Sequence, residues 1–372
     1  MRIGFDAKRI LNNGTGLGNH GRILLYALLR DYPQHEYLLY SPKAKEEFMN
    51  ELSGDFKVLF PDTKKAQAFG GWWRSMGVTR QLLHDRVEVY HGISNELPFN
   101  IHRSGVKTIV TIHDLIFLKH TDQYPWVDRQ VYSTKTKYAA KHADRIIAVS
   151  EETRQDLINI YRVPEHKITV VHPSIDAAFF EPVDAALMES VRIKHQLPKK
   201  YILNVGSFFT RKNQAKLIEA YDLIKDKIEE DLVLVGYSGN MYESILQLVA
   251  QKKLQDRVQI RSSVTNQDLP YVYSAASLYV FPSMFEGFGA PLVEAMSRAV
   301  PVLASDIPCF REVGGAAVQY FDPNSRETIA AMMQSVLEKE AQRKEMIANG
   351  SARAKNFTDA NFASGVMKLY LD

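Results

Sequence analysis

Short runs of β-branched and aromatic residues, each followed by a stretch of helical periodicity, recur along the whole chain, and this pattern constrains the fold most. Ile3–Phe5, Tyr37–Tyr40, Val58–Phe60, Val87–His91, Lys107–Ile112 and Arg145–Val149 read as strands in the first half. Tyr201–Val205, Leu232–Val235, Val258–Ile260, Leu278–Phe281 and Pro301–Ala304 do so in the second. Intervening helical patterns, among them Asn19–Leu29, Lys212–Lys225, Met241–Lys252 and Ala290–Ala299, are long enough to cross over a sheet. Strands and helices alternating in this way build βαβ units and parallel sheets. One hydrophobic core rarely serves more than about 250–300 residues, and this chain has 372. The expected fold class is therefore α/β, with two Rossmann-like doubly wound domains facing a central cleft.

The mixed stretch between Pro173 and Pro198 marks the boundary. The division expected is a first domain over 1–180, a second over 181–352, and a helical tail over 353–372 that can pack back on the first. A net charge of +3 is too mild to indicate a nucleic-acid partner, but it suits anionic ligands such as phosphates. Cys309 is the one cysteine, which rules out an intrachain disulfide framework and fits a reducing compartment. The opening MRIGFDAKRILNNG lacks the apolar core of a signal peptide. No run approaches the ~18 apolar residues of a spanning helix. A cytoplasmic protein is expected, with peripheral contact at the inner face of the membrane left open.

The strongest local signal is Phe281-Pro282-Ser283-Met284-Phe285-Glu286-Gly287-Phe288-Gly289-Ala290-Pro291-Leu292-Val293-Glu294. A buried strand ends at Phe281, and Pro291 suits the first turn of a helix. The loop between them puts the amides of Gly287, Phe288, Gly289 and Ala290 beside a helix N-terminus, where an anion or sugar hydroxyls can bind. Glu286 can accept from sugar hydroxyls, and Glu294, deeper in the helix, can hold a ribose diol. The plain alternative is a capped helix with surface glutamates.

A second constellation, Val205-Gly206-Ser207-Phe208-Phe209-Thr210-Arg211-Lys212-Asn213, also follows a strand. Cations at a helix N-terminus oppose its dipole, so Arg211 and Lys212 need another reason to be there, and a bound diphosphate supplies one. A solvated basic patch is the alternative. A third, Asn12-Asn13-Gly14-Thr15-Gly16-Leu17-Gly18, can expose amides to a ligand at Gly14 and Gly16. Its spacing departs from the dinucleotide fingerprint, and no acid ends the second strand, which argues against an NAD-dependent dehydrogenase. A fourth, Thr111-Ile112-His113-Asp114, puts a histidine at a strand end, where it faces a ligand or serves as an ordinary capping residue. His91-Gly92-Ile93-Ser94-Asn95-Glu96 ends another strand and could hold acceptor hydroxyls. Trp72-Trp73-Arg74 reads as core packing or as a sugar or lipid surface. No acidic metal motif is apparent, so no metal is expected.

Glu286 and Glu294, separated by seven residues and followed by Ala299-Val300-Pro301-Val302, resemble the signature of the retaining glycosyltransferases of family 4, which have the GT-B fold. The resemblance implies that Glu286 meets the donor sugar, Glu294 the donor ribose, and His113 the sugar at the reaction centre. It implies that Lys212 neutralises the leaving diphosphate. Some members place the second cation directly after the glycine, where this chain has Ser207; Arg211 is the expected substitute. Gly16 and its neighbours would close over the donor phosphates and the acceptor. His113, Glu286, Lys212 and Arg211 are thus the expected catalytic set. Gly14, Gly16, Gly206, Gly287, Phe288, Gly289 and Glu294 would join Arg211, Lys212 and Glu286 in donor binding. In the family it resembles, the run Phe285-Glu286-Gly287-Phe288-Gly289-Ala290-Pro291 with Tyr320-Phe321-Asp322-Pro323 goes with mannosyl transfer, so the resemblance implies GDP-mannose, with a UDP-sugar as the alternative donor. The implied acceptor is a glycan or lipid-linked glycan. A nucleotide-sugar epimerase of the same fold, or a non-catalytic sugar-nucleotide-binding protein, are the competing readings.

Overall fold

The computed structural model describes every residue except Asp122, Gln123 and Ser238, and the backbone alone of Lys65. The chain divides into two compact units, Met1–Asp176 with Thr358–Asp372, and Ala177–Phe357.

The first unit holds a seven-stranded sheet of β1 (Arg2–Asp6), β2 (Glu36–Tyr40), β3 (Phe56–Leu59), β4 (Val89–Gly92), β5 (Lys107–Ile112), β6 (Arg145–Ala148) and β7 (Ile168–Val170). The order is β3-β2-β1-β4-β5-β6-β7, and every pairing is parallel. The chain winds outward from β1 to β3, then starts again at β4 on the other side. That reversal leaves a crevice beyond the carboxyl ends of β1 and β4. The inner strands are apolar on both faces because helices cover both. Leu24, Leu25 and Leu28 of the helix Gly16–Asp31 pack with Phe362, Val366 and Tyr370 of the last helix, Asp359–Leu371, on one face. Trp73, Leu82, Ala139 and Leu157 fill the other. Each large apolar side chain buried this way contributes roughly 1.5–3 kcal/mol. The last helix is also tied by an Arg30–Asp359 ion pair of 2.7 Å.

The second unit repeats the plan with β8 (Tyr201–Val205), β9 (Asp231–Val235), β10 (Val258–Arg261), β11 (Leu278–Phe281), β12 (Val302–Ser305) and β13 (Gln319–Phe321). Its order, β10-β9-β8-β11-β12-β13, is again wholly parallel, and its reversal lies between β8 and β11.

Two local expectations are corrected. The first helix begins at Gly16, not Asn19, because the Asn13 carboxamide accepts from the Thr15 amide at 2.7 Å and turns the chain early. The helix expected over Lys212–Lys225 is a 3-10 turn, Thr210–Lys212, then Asn213 in the left-handed region (φ 57°), then a helix Gln214–Asp222. The edge strands β7 and β13, of three residues each, are too short to carry a sequence pattern. Among the described residues, no helix is long and apolar enough to cross a membrane.

Candidate functional site

The two strands at the reversal of the second sheet carry the two strongest sequence signals. The loop after β8 holds Gly206, Arg211 and Lys212; the loop after β11 holds Glu286 to Gly289. The 3-10 turn, ended by left-handed Asn213, turns both cations toward the neighbouring loop. Lys212 Nζ donates to Glu286 Oε1 at 2.6 Å, and Arg211 Nη1 lies 3.0 Å from the same oxygen. Arg211 Nη1 also reaches the Phe285 carbonyl, and the Arg211 carbonyl accepts from the Met284 amide, so the two loops are stitched together. Lys212 passes over the open face of Gly206, and its ammonium sits 5.3 Å from the centre of the Phe281 ring.

Burial opposes the charge on both Lys212 and Glu286. It pushes the Lys212 ammonium below its usual range, more strongly than Glu286 holds it up. It also pushes Glu286 up, but Arg211 and Lys212 together outweigh it and leave the carboxyl below the usual range. Glu286 is thus shared by the buried Lys212 ammonium and the partly exposed Arg211 guanidinium, two donors suited to an anion with more than one oxygen.

Gly289 caps the following helix, Ala290–Ser297, at φ 89°, and a Cβ there would lie 2.7 Å from the Phe310 ring, so only glycine fits. The Phe288 ring packs 5.6 Å from that of Phe357, and the Phe288 carbonyl accepts from the Cys309 thiol at 3.0 Å. Glu294, on the helix, accepts from the buried Tyr273 hydroxyl at 2.8 Å. Glu294 is close enough to act electrostatically on Lys212. Tyr273 carried no motif and could not be singled out from sequence.

In the first unit, His113 follows β5. Its Nε2–H donates to the Ile93 carbonyl at 2.8 Å, which leaves Nδ1 as an acceptor. Burial lowers its pKa to about 4, against a smaller upward pull from that hydrogen bond, so the ring is neutral near pH 7. Asn95, itself left-handed (φ 62°), accepts from the His113 amide and donates to the Asp114 carbonyl. His20 stands edge-on to His113 with centroids 4.6 Å apart, and its buried Nε2 has no hydrogen-bond partner among the described residues. His20 lies two residues beyond the Asn12–Gly18 loop, and nothing in its spacing marks it.

Gly16 opens the helix Gly16–Asp31 with free space where a Cβ would stand, while Gly14 rests against the Phe48 ring. His91 cannot hold an acceptor hydroxyl: the ring is buried, Nδ1 is bonded to Tyr370 and Nε2 to Thr111. Arg74 is buried in an ion pair with Asp6 and Glu96, Trp73 is core, and Trp72 is exposed. Among the described residues, no group of three His, Cys, Asp or Glu side chains is placed to hold a metal ion.

Residues 188–353 match the family model "Glycosyl transferases group 1", and 15–179 match "Glycosyltransferase Family 4". The O-antigen chain mannosyltransferase B of Escherichia coli is 31% identical over 286 residues, which is 76% of this chain and 74% of that one. The chain is a family 4 glycosyltransferase. This transferase also aligns with the serotype-specific mannosyltransferase WbdA of E. coli, at 28% identity over 74% of the chain, but spans only 35% of that protein's length. Among solved structures, the Rickettsia africae glycosyltransferase superposes with a TM-score of 0.77 at 18% identity, covering 99% of this chain and 97% of that one. WaaG, a glycosyltransferase of lipopolysaccharide biosynthesis, gives 0.72 at 15% identity, covering 99% of each. The transferase has the GT-B fold these likenesses share.

Proposed function

We propose that the transferase moves mannose from GDP-mannose to a hydroxyl of a glycan or lipid-linked glycan, with retention of anomeric configuration. The observation that carries this reading is the shared contact of Lys212 and Arg211 with Glu286 where the second sheet reverses. The likeness to the E. coli O-antigen chain mannosyltransferase B supports mannose as the sugar.

The second unit holds the nucleoside diphosphate sugar and the first holds the acceptor. The bond from the anomeric carbon to the diphosphate oxygen breaks, and negative charge grows on the diphosphate. Lys212 and Arg211 stabilise that charge, and amides near Gly287 and Gly289 add to it, the kind of term that usually dominates group transfer. Glu286 then turns from the cations to the sugar hydroxyls. Glu294, steadied by Tyr273, takes the ribose diol. His113, neutral and with Nδ1 free to accept, orients a sugar hydroxyl. Gly16 and the start of its helix approach the phosphates. The acceptor hydroxyl forms the new bond on the face the diphosphate leaves, and its proton passes to a diphosphate oxygen. Exclusion of water protects the donor from hydrolysis.

The test is incubation with a panel of GDP-, UDP-, ADP- and dTDP-sugars and a mannoside acceptor, following nucleoside diphosphate release and the anomeric configuration of the product by NMR. Turnover of GDP-mannose to an α-mannoside is expected. Turnover of another donor alone removes mannose from the reading, and a β-linked product removes retention.

A further inference from the structure

Gly16 and His20 stand one turn apart at the start of the helix Gly16–Asp31, so they share one face of it. Nothing lies within 4 Å of where a Cβ would stand at Gly16, so that face opens on free space. Beside His20 the helix is pressed onto the loop after β4. A Cβ at Gly21 would lie 2.6 Å from Ile93 Cδ1 and 2.7 Å from Ile10 Cγ1, so the glycine permits the close approach. The carbonyl of the same Ile93 accepts from His113 Nε2–H at 2.8 Å. One residue thus seats both elements, and it brings His20 edge-on to His113 with centroids 4.6 Å apart.

His20 is 7% exposed, and its side chain makes no hydrogen bond among the described residues. Burial, with His113 and His91 adding to it, holds the ring well below the usual imidazole range, so it is neutral and carries one N–H. Nε2 is the enclosed nitrogen. An enclosed N–H without an acceptor is costlier than an enclosed lone pair, which assigns the proton to Nδ1. His113 has the opposite arrangement: its proton is on Nε2, held by Ile93, and Nδ1 accepts. Side by side, the two rings offer one donor and one acceptor. A hydroxyl uses both, since it has a proton to give and lone pairs to receive one. A carboxylate or phosphate would meet the His113 lone pair with lone pairs of its own. Packing alone needs no imidazole here: Phe362 lies against His20 with centroids 5.0 Å apart, and a phenyl ring would fill the same space without burying an unpaired polar atom.

We propose that His20 is a second sugar-binding histidine, whose Nδ1–H donates to the hydroxyl oxygen whose proton His113 Nδ1 accepts. The pair fixes both the place and the rotation of one sugar hydroxyl. The proposal rests on the sugar-facing role argued above for His113, and adds why this part of the site takes a neutral hydroxyl and not a charged group.

Steady-state kinetics of His20→Phe, His20→Asn and His20→Gln tests it, with the donor the panel above selects (GDP-mannose is expected) and a mannoside acceptor. The amide nitrogen of asparagine falls where Nδ1 stands, and that of glutamine where Nε2 stands. His20→Phe keeps the packing against Phe362 and should lower kcat/KM about tenfold. His20→Asn should keep most of the activity, and His20→Gln should not. GDP binding by calorimetry and the circular dichroism spectrum should be unchanged in all three. Wild-type kcat/KM in His20→Phe overturns the proposal. Equal activity of His20→Asn and His20→Gln does so too, because the role would then be one of shape; if His20→Phe fails to fold, this contrast decides alone. His113→Phe keeps the two readings apart. If it also leaves kcat/KM unchanged, the sugar-facing role of His113 fails and this inference with it; if only His20→Phe does, the failure is confined to His20.

Discussion

Lys212 and Glu286 are separated by 74 positions in sequence, yet their side chains meet at 2.6 Å beyond the carboxyl ends of β8 and β11. Lys212→Ala should therefore lower kcat/KM about 100-fold or more, since it removes a cation aimed at developing charge. Steady-state kinetics of folded variant protein checks this. Arg211→Ala should show a smaller loss, because its side chain is more exposed and partly engaged with the Phe285 carbonyl.

Tyr273→Phe removes the hydroxyl that donates to Glu294 without changing the ring packing. One such hydrogen bond is worth ~1 kcal/mol. The KM for the donor should rise about fivefold with kcat nearly unchanged, because the ribose lies away from the breaking bond. A fall in kcat with KM unchanged would contradict the ribose role of Glu294.

Two glycines of one helix should answer differently. Gly16→Ala has space for its Cβ, so the fold should keep its stability while turnover falls if the phosphates lie against this position. Gly18→Ala would drive a Cβ to 1.7 Å from the Asn13 carbonyl oxygen and should unfold the loop. Thermal melts of both variants, with activity measured alongside, separate the cases.

Acid should destabilise the first unit through its neutral histidines. Burial, with the nearby His113 adding to it, lowers the His91 pKa to about 3, and burial lowers that of His113 to about 4, against an unfolded value near 6.5. The unfolded state then binds more protons between those values. The stability is present above about pH 6.5 and is lost as pH falls toward 4 and then 3. His91 alone should account for about 2 kcal/mol between pH 7 and pH 5. All three tryptophans, Trp72, Trp73 and Trp126, lie in this unit, so fluorescence during denaturant titration reports it directly. Equal stability at both pH values would contradict the neutral, buried state of these rings.

Much of the fold was legible because the inner strands are buried on both faces and so read as dense runs of β-branched and apolar residues, as at Lys107–Ile112 and Tyr201–Val205. The three-residue strands Ile168–Val170 and Gln319–Phe321 were not, since an edge strand that short carries no pattern. Left-handed Asn213 makes one helix start later than its pattern suggests, and asparagine marks such positions only weakly. At the site, glycine and glutamate at a strand end pointed to Glu286 and Gly289. Tyr273 and His20 come from packing between distant segments, which no local spacing records. His91 shows the converse: a polar residue at a strand end, consumed by Tyr370 from the last helix.

The most direct test of the donor site is calorimetric titration of GDP into wild-type protein and into Lys212→Ala with Arg211→Ala, with GMP as the control. The wild type should bind GDP well above GMP, and the double variant should lose that preference. Equal GDP binding by both proteins, or no nucleotide binding by the wild type, would contradict the assignment of the diphosphate to Lys212 and Arg211.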